Sequence, residues 1–220
     1  MRDFVSTPLE AIQTTRIETI KVGHHVYHIE MPEHWDALIE HPVMARAFAQ
    51  DEYIPYWAYL WPASRMLAAY LDRVDLPDEI WELGCGLGLP GMVALQRGKR
   101  VVFTDYDLTT LEFVQRNVLH NGFTKWATQP LDWREPPCAI RVPLLIGADL
   151  IYEARAIEPL LELAAQMLEP DGELWLADPN RSTSSDWIVA IERRGWSYTT
   201  ESIQLANTGE MGTIYRVMLT

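Results

Sequence analysis

Polar and apolar residues alternate from Arg16 to Val22, stop at Gly23, and alternate again from His25 to Glu30. A period of two puts one set of side chains on a single face, so this stretch predicts a β-hairpin. Beyond it the pattern changes. The apolar residues before Glu82 read as a short buried strand, Arg100 to Thr104 as a second, and Val142 to Ala148 as a strongly apolar third. Between them helical spacing takes over. It covers Pro62 to Leu71, with Met66, Leu67 and Tyr70 on one side and Pro62 suited to the first turn. It returns in Leu89–Gln96, in Leu108–Leu119 with Asp107 as cap and Asn121-Gly122 as stop, and in Glu158–Leu168. Ser182–Arg194 closes the helical set, with Ser184 or Ser185 as cap. Trp126 to Gln129 reads as a strand. So does Gly172 to Ala177, after a Glu169-Pro170-Asp171-Gly172 turn. Trp196–Ile203 and Thr213–Leu219 form a last pair around Asn207 to Gly212. Pro32 to Trp35 opens a short helix reaching Ile39, Val43 to Gln50 predicts another, and residues 1–14 read as a loose lead-in. Strands alternating with helices predict an α/β domain.

One stretch carries chemistry. Glu82-Leu83-Gly84-Cys85-Gly86-Leu87-Gly88 joins a strand to a helix. Its glycines leave the backbone bare where it turns and where a ligand would approach. A second strand ends in Asp105, which is placed to accept the hydroxyl hydrogens of a ribose. The glycine that would seat a pyrophosphate is replaced by Leu89, which speaks against a dinucleotide-dependent oxidoreductase. Glu82 would repel a pyrophosphate but suits an ammonium group.

This pattern resembles motif I of the class I S-adenosylmethionine (SAM) methyltransferases. The resemblance implies a Rossmann-like, doubly wound seven-stranded sheet with helices on both faces, here preceded by a hairpin and helical extension. It places Gly84, Cys85, Gly86 and Gly88 against the methionine moiety and Asp105 on the ribose. Tyr106 would cover a face of the adenine, and Asp132 and Trp133 would meet its amine and ring. Asp149 would close the cofactor site where donor meets acceptor.

Two further runs narrow the resemblance. Tyr53 to Trp61 holds five aromatics in nine residues, and Trp61-Pro62-Ala63-Ser64 opens the next helix. This segment, with Asp149-Leu150-Ile151-Tyr152, is similar to the family 16 protein lysine methyltransferases. There the tryptophan at the Trp61 position contacts the cofactor. Asp178-Pro179-Asn180-Arg181 and Tyr56-Trp57-Ala58 resemble the branch that acts on the β-subunit of electron-transfer flavoprotein, with Asn180 standing where that branch has glycine. The resemblance implies Asp149 and Tyr152 as catalytic residues, and Trp57, Tyr152 and Arg181 as substrate-binding ones. Arg181 is expected to meet a substrate carboxylate or Asp149.

Composition sets the boundaries. The chain has 220 residues, enough for a methyltransferase domain over 53–220 after an accessory segment over 1–52. Its net charge of −13 speaks against a phosphate backbone as partner and fits a basic protein substrate. No apolar run is long enough to span a membrane and no signal core follows Met1. Cys85 and Cys138 have no metal-ligand or disulfide spacing, and His24, His25 and His28 are read as solvated rather than as metal ligands. The expectation is a cytoplasmic, monomeric enzyme without metal. It uses SAM, releases S-adenosylhomocysteine (SAH) and methylates a nitrogen, most simply a protein lysine. A small-molecule methyltransferase and a non-catalytic SAM-binding protein are the alternatives.

Overall fold

A computed structural model describes residues 4–42, 44, 48, 53–137 and 140–219. Seven strands form one sheet: β3 (Glu79–Leu83), β4 (Arg100–Asp105), β5 (Trp126–Pro130), β6 (Val142–Ala148), β7 (Leu168–Asp178), β8 (Ser197–Gln204) and β9 (Met211–Met218). Their spatial order is β5-β4-β3-β6-β7-β9-β8. The first five are parallel, and β9 runs antiparallel between β7 and β8. The order reverses between β3 and β6, the switch point at which open sheets bind ligands beyond their strand ends.

Alternate residues divide the sheet into two covered faces. Ile80, Phe103, Leu144 and Ile146 face the helices α2 (Pro62–Leu71), α3 (Leu89–Gln96) and α4 (Leu108–His120). Trp81, Val102, Leu145 and Leu174 face α5 (Ile157–Met167) and α6 (Ser184–Arg193). A short α1 (Trp35–Glu40) follows the hairpin. Among the described residues no helix is long and apolar enough to cross a membrane.

The predicted hairpin is β1 (Thr15–Val22) and β2 (His25–Pro32), a separate antiparallel pair. Its buried residues, including Ile20, Tyr27 and Ile29, join the apolar cluster of the first face. Two asparagines one helical turn apart on α4 and its C-cap hold its edge. Asn117 accepts from Glu30 N (2.7 Å) and donates to Glu30 O (3.2 Å). Asn121 does the same with His28 (2.9 and 2.7 Å). Two side-chain amides thus satisfy a strand edge that would otherwise lack partners. Asn117 also donates to Leu87 O (3.2 Å), which ties the hairpin to the glycine turn.

Several expectations need correction. Residues 4–12 are not a loose lead-in: Val5 bridges Asp107, Thr7 is fully buried and Leu9–Ala11 makes a 3₁₀ turn. Glu169 to Gly172 does not precede β7 but lies within it, beside a register shift between Val142 and Leu144. A Cβ at Gly172 would stand 3.0 Å from Val142 O, closer than side chains ordinarily pack, so a glycine suits this close approach of backbones. Neither serine caps α6: the Ser184 hydroxyl donates to Asp178 (2.6 Å), and Thr183 holds the cap position without a side-chain cap bond, its hydroxyl donating instead to Ile151 O. Of the helix predicted over Val43 to Gln50, only Met44 and Phe48 lie within the described residues, and Cys138 lies outside them.

Candidate functional site

A cleft of about 680 Å³ opens at the carboxyl ends of β3, β4 and β6, within the range of small-molecule sites. Every site residue expected from the sequence lines it except Gly88. Gly88 instead starts α3 with a left-handed backbone (φ 79°), and a Cβ there would press on Phe103 and Val114 at 3.2 Å. Its role is helix–strand packing.

The glycine turn forms the floor. Gly84 and Gly86 adopt φ of 52° and 50°, which side chains disfavour. A Cβ on Gly84 would come within 2.8 Å of Leu150 and 3.2 Å of Trp133. Above Gly86 the nearest atoms are the Trp57 backbone at 3.8 Å, so this point of the floor stays open. Cys85 is buried, and its amide bonds Thr104 O (2.9 Å). Glu82 is buried beneath the turn, and burial pushes its pKa well up. One of its oxygens accepts from Gly91 N (2.9 Å), so a strand residue caps the following helix. No pattern along the chain signals that bond.

At one end of the cleft Asp105 accepts from the amides of Gly86 (3.2 Å) and Asp107 (3.1 Å). Burial, with Asp107 close by, raises its pKa to about 7. The Tyr106 ring has Phe4 at 6.1 Å and the Arg134 guanidinium over it at 5.1 Å. Arg134 also grips Asp132 with two nitrogens at 2.8 Å. Sequence reasoning missed Arg134. Arg134, two residues on, reaches back to the Asp132 carboxylate assigned to the adenine amine, and the same guanidinium lies over Tyr106. Trp133 leans over Gly84.

At the other end Asp149 takes a left-handed backbone (φ 58°), and Arg181 holds its carboxylate at 2.5 and 2.6 Å. Of the two partners expected for Arg181, the structure supplies Asp149. Fully buried Asp178 shapes the loop between them by accepting from Arg181 N (3.0 Å). The Tyr152 ring meets Tyr56 edge-on at 5.3 Å. Burial, and then the Glu153 carboxylate, push its pKa to about 12, so the phenol keeps its proton at neutral pH. Trp61 donates to Tyr56 O (2.7 Å), which leaves its ring to line the cleft. Trp57 does not present its indole to a substrate: Nε1 donates to Asp107 (3.0 Å) and the ring packs on Phe113 (5.0 Å).

These groups suit SAM. A carboxylate at the end of β4, a carboxyl under an open glycine floor and aromatic rings at both ends match a ribose, an ammonium and an adenine.

Residues 49–194 match a family model described as lysine methyltransferase. The histone-arginine methyltransferase METTL23 of Xenopus laevis is 29% identical over 161 residues, covering 68% of this chain and 68% of the relative. The histidine protein methyltransferase 1 homolog of Dictyostelium discoideum is 30% identical over 54% of this chain and 41% of its own length. The protein N-lysine methyltransferase METTL21A of Xenopus tropicalis is 31% identical over 48% and 52%. The match therefore spans about half the length of the last two. Among solved structures, a glycopeptide N-methyltransferase bound to SAM aligns with a TM-score of 0.58 at 11% identity, over 74% of this chain and 96% of that one. A putative RNA methyltransferase from Pyrococcus horikoshii aligns at 0.57 and 17%, over 80% and 96%. At such identities these two speak for the fold.

Proposed function

This chain belongs to the lysine methyltransferase family, and from that premise we propose that it transfers a methyl group from SAM to a side-chain nitrogen of a protein, with lysine the favoured acceptor. The observation that carries this reading is one cleft holding both the glycine turn with Asp105 and the Asp149–Arg181 pair facing Tyr56 and Tyr152. Relatives named for lysine, arginine and histidine share the scaffold, so the acceptor depends on the second end of the cleft.

Bound SAM supplies an electrophilic methyl on a sulfonium, already a good leaving group. The chain's task is alignment and exclusion of water. Glu82 and Asp105 hold the polar parts of the ligand, and the rings of Trp61 and Tyr106 flank it. A lysine approaching alongside the Tyr56–Tyr152 ring pair loses its water and meets aromatic groups that accept a cation. Burial lowers its pKa from an ordinary value of about 10.4 and favours the neutral, nucleophilic amine. Asp149 is bonded twice to Arg181. Its role is to orient the amine, and the proton leaves to solvent.

Finer readings belong to the same proposal. The Asp178-Pro179-Asn180-Arg181 run supports a substrate like the β-subunit of electron-transfer flavoprotein. The net negative charge and the buried thiol of Cys85 support a monomer in the cytoplasm, acting on protein rather than on nucleic acid or membrane. The test is calorimetric titration with SAH, followed by a labelled-methyl screen of lysate proteins with wild type and Asp105→Ala. SAH binding with transfer of label to protein supports the reading. SAH binding with label only in small molecules moves the acceptor class, and absence of SAH binding by folded protein overturns it.

A further inference from the structure

Asp107 does more than cap α4. Its Oδ1 accepts from Thr109 N at 2.8 Å, which is all that a cap requires. Yet the residue is buried, and further donors converge on the same carboxylate from segments far apart in sequence. Thr7 gives its amide (3.1 Å) and its hydroxyl (2.5 Å), Tyr53 its hydroxyl and Trp57 its Nε1 (3.0 Å). Two bonds running beside the carboxylate complete the join: Leu108 N to Val5 O (2.9 Å) and the Thr109 hydroxyl to Thr7 O (2.6 Å).

Each fastened segment stands at the cofactor end of the cleft. The Trp57 backbone lies across from the open face of Gly86. Tyr53 lines the cleft beside Asp107, and Phe4 backs the Tyr106 ring. The carboxylate also follows Asp105 by two residues, and its own amide bonds Asp105. A buried carboxylate is costly unless it is fully hydrogen-bonded, so these donors and the acceptor hold one another in a single arrangement.

We infer that Asp107 is a positioning residue for the cofactor. It builds the wall opposite the glycine turn by fastening Val5–Thr7, Tyr53 and Trp57 to the loop after β4. Retention of the adenosyl ligand therefore depends on residues 4–7, which act through Asp107 and Tyr106. This rests on the methyltransferase reading of the cleft.

The experiment measures SAH affinity by calorimetry and SAH release by stopped-flow, well below each variant's melting temperature. Asp107→Asn keeps an equally good helix cap but turns an amide hydrogen toward the converging donors. It is expected to weaken SAH binding by about tenfold or more, mainly through faster release. Thr7→Val, which removes one donor, is expected to weaken it about threefold to tenfold, and Thr7→Ser, which keeps that donor, to restore it. If Asp107→Asn does not fold, Thr7→Val and Thr7→Ser decide. Wild-type binding with affinity and release within about twofold in Thr7→Val and in any folded Asp107→Asn overturns the inference, even if both melt earlier. No SAH binding by the folded wild type overturns the reading of the cleft, and the inference with it.

Discussion

Two carboxylate–guanidinium pairs line the same cleft and are built in opposite ways. Asp132 and Arg134 are two residues apart on one loop, with side chains 10% and 35% exposed. Asp149 and Arg181 are 32 residues apart, with side chains exposed to the same degree, 7% and 36%, so the difference lies in the backbone that carries each pair. The first pair is local, and the Arg134 amide also bonds the Asp132 carboxylate (2.9 Å). The second is fixed by the pairing of β6 with β7, by left-handed backbone at Asp149 and Asn180, and by Asp178 beneath the loop. The contrast is between an end that adjusts to a ligand and an end that holds a reacting group still. Asp105 is a third carboxylate, at the first pair's end of the cleft, and backbone amides hold it.

Breaking the fixed pair has the largest expected effect. Arg181→Ala leaves the Asp149 carboxylate buried without its bidentate partner and is expected to cost about 3 kcal/mol in urea unfolding. Methyl transfer should be lost while SAH affinity changes less than about threefold, because the deleted group acts on the acceptor. A cost below about 1 kcal/mol would place this pair in the same class as the local one.

Asp105 comes next and is read through pH. Its pKa in the folded protein, about 7, lies above the ordinary value of 3.8. The folded state therefore binds this proton more tightly than the unfolded one. The associated stability is complete below about pH 4 and is lost as pH rises through about 7. Ligand-free wild type should lose roughly 1–2 kcal/mol across that window, a figure reduced because the carboxylate opens onto the cleft. Asp105→Asn should lose less, and parallel melting curves for the two proteins would sink the assignment.

Arg134→Ala should have the smallest effect, about 1 kcal/mol of stability, because the Asp132 carboxylate keeps its bond from the backbone amide of residue 134 (2.9 Å). Transfer at saturating SAM should stay within about twofold of wild type, because Arg134 sits at the end of the cleft away from the acceptor. If its loss abolished transfer instead, the division between an adjustable and a fixed end would fail.

Much of the fold was legible because it is written in local patterns. Leu89–Gln96 and Val142–Ala148 appear with the boundaries that their apolar runs predict. The glycine turn and Asp105 announce themselves by spacing. Contacts between polar side chains distant in sequence were not legible. Asp107 reads as a cap, and nothing in the pattern points to Thr7, 100 residues away. Glu82 could be placed in the site but not on the Gly91 amide, and Asp132 could be placed near Tyr106 but not under Arg134. Such bonds have no period, and the residues that make them are those found on any surface.

The asparagine clamp on the hairpin carries a consequence for the order in which the chain folds. The β1–β2 ladder joins neighbours in sequence, at its widest Thr15 with Pro32, and such hairpins form within microseconds. The bonds that seat it span 87 and 93 residues and require α4 to be formed already. The hairpin is thus made early and docked late. In pulsed hydrogen exchange during refolding, the amides of His28 and Glu30 should gain protection only when α4 arrives, after the amides of the same strand that face β1.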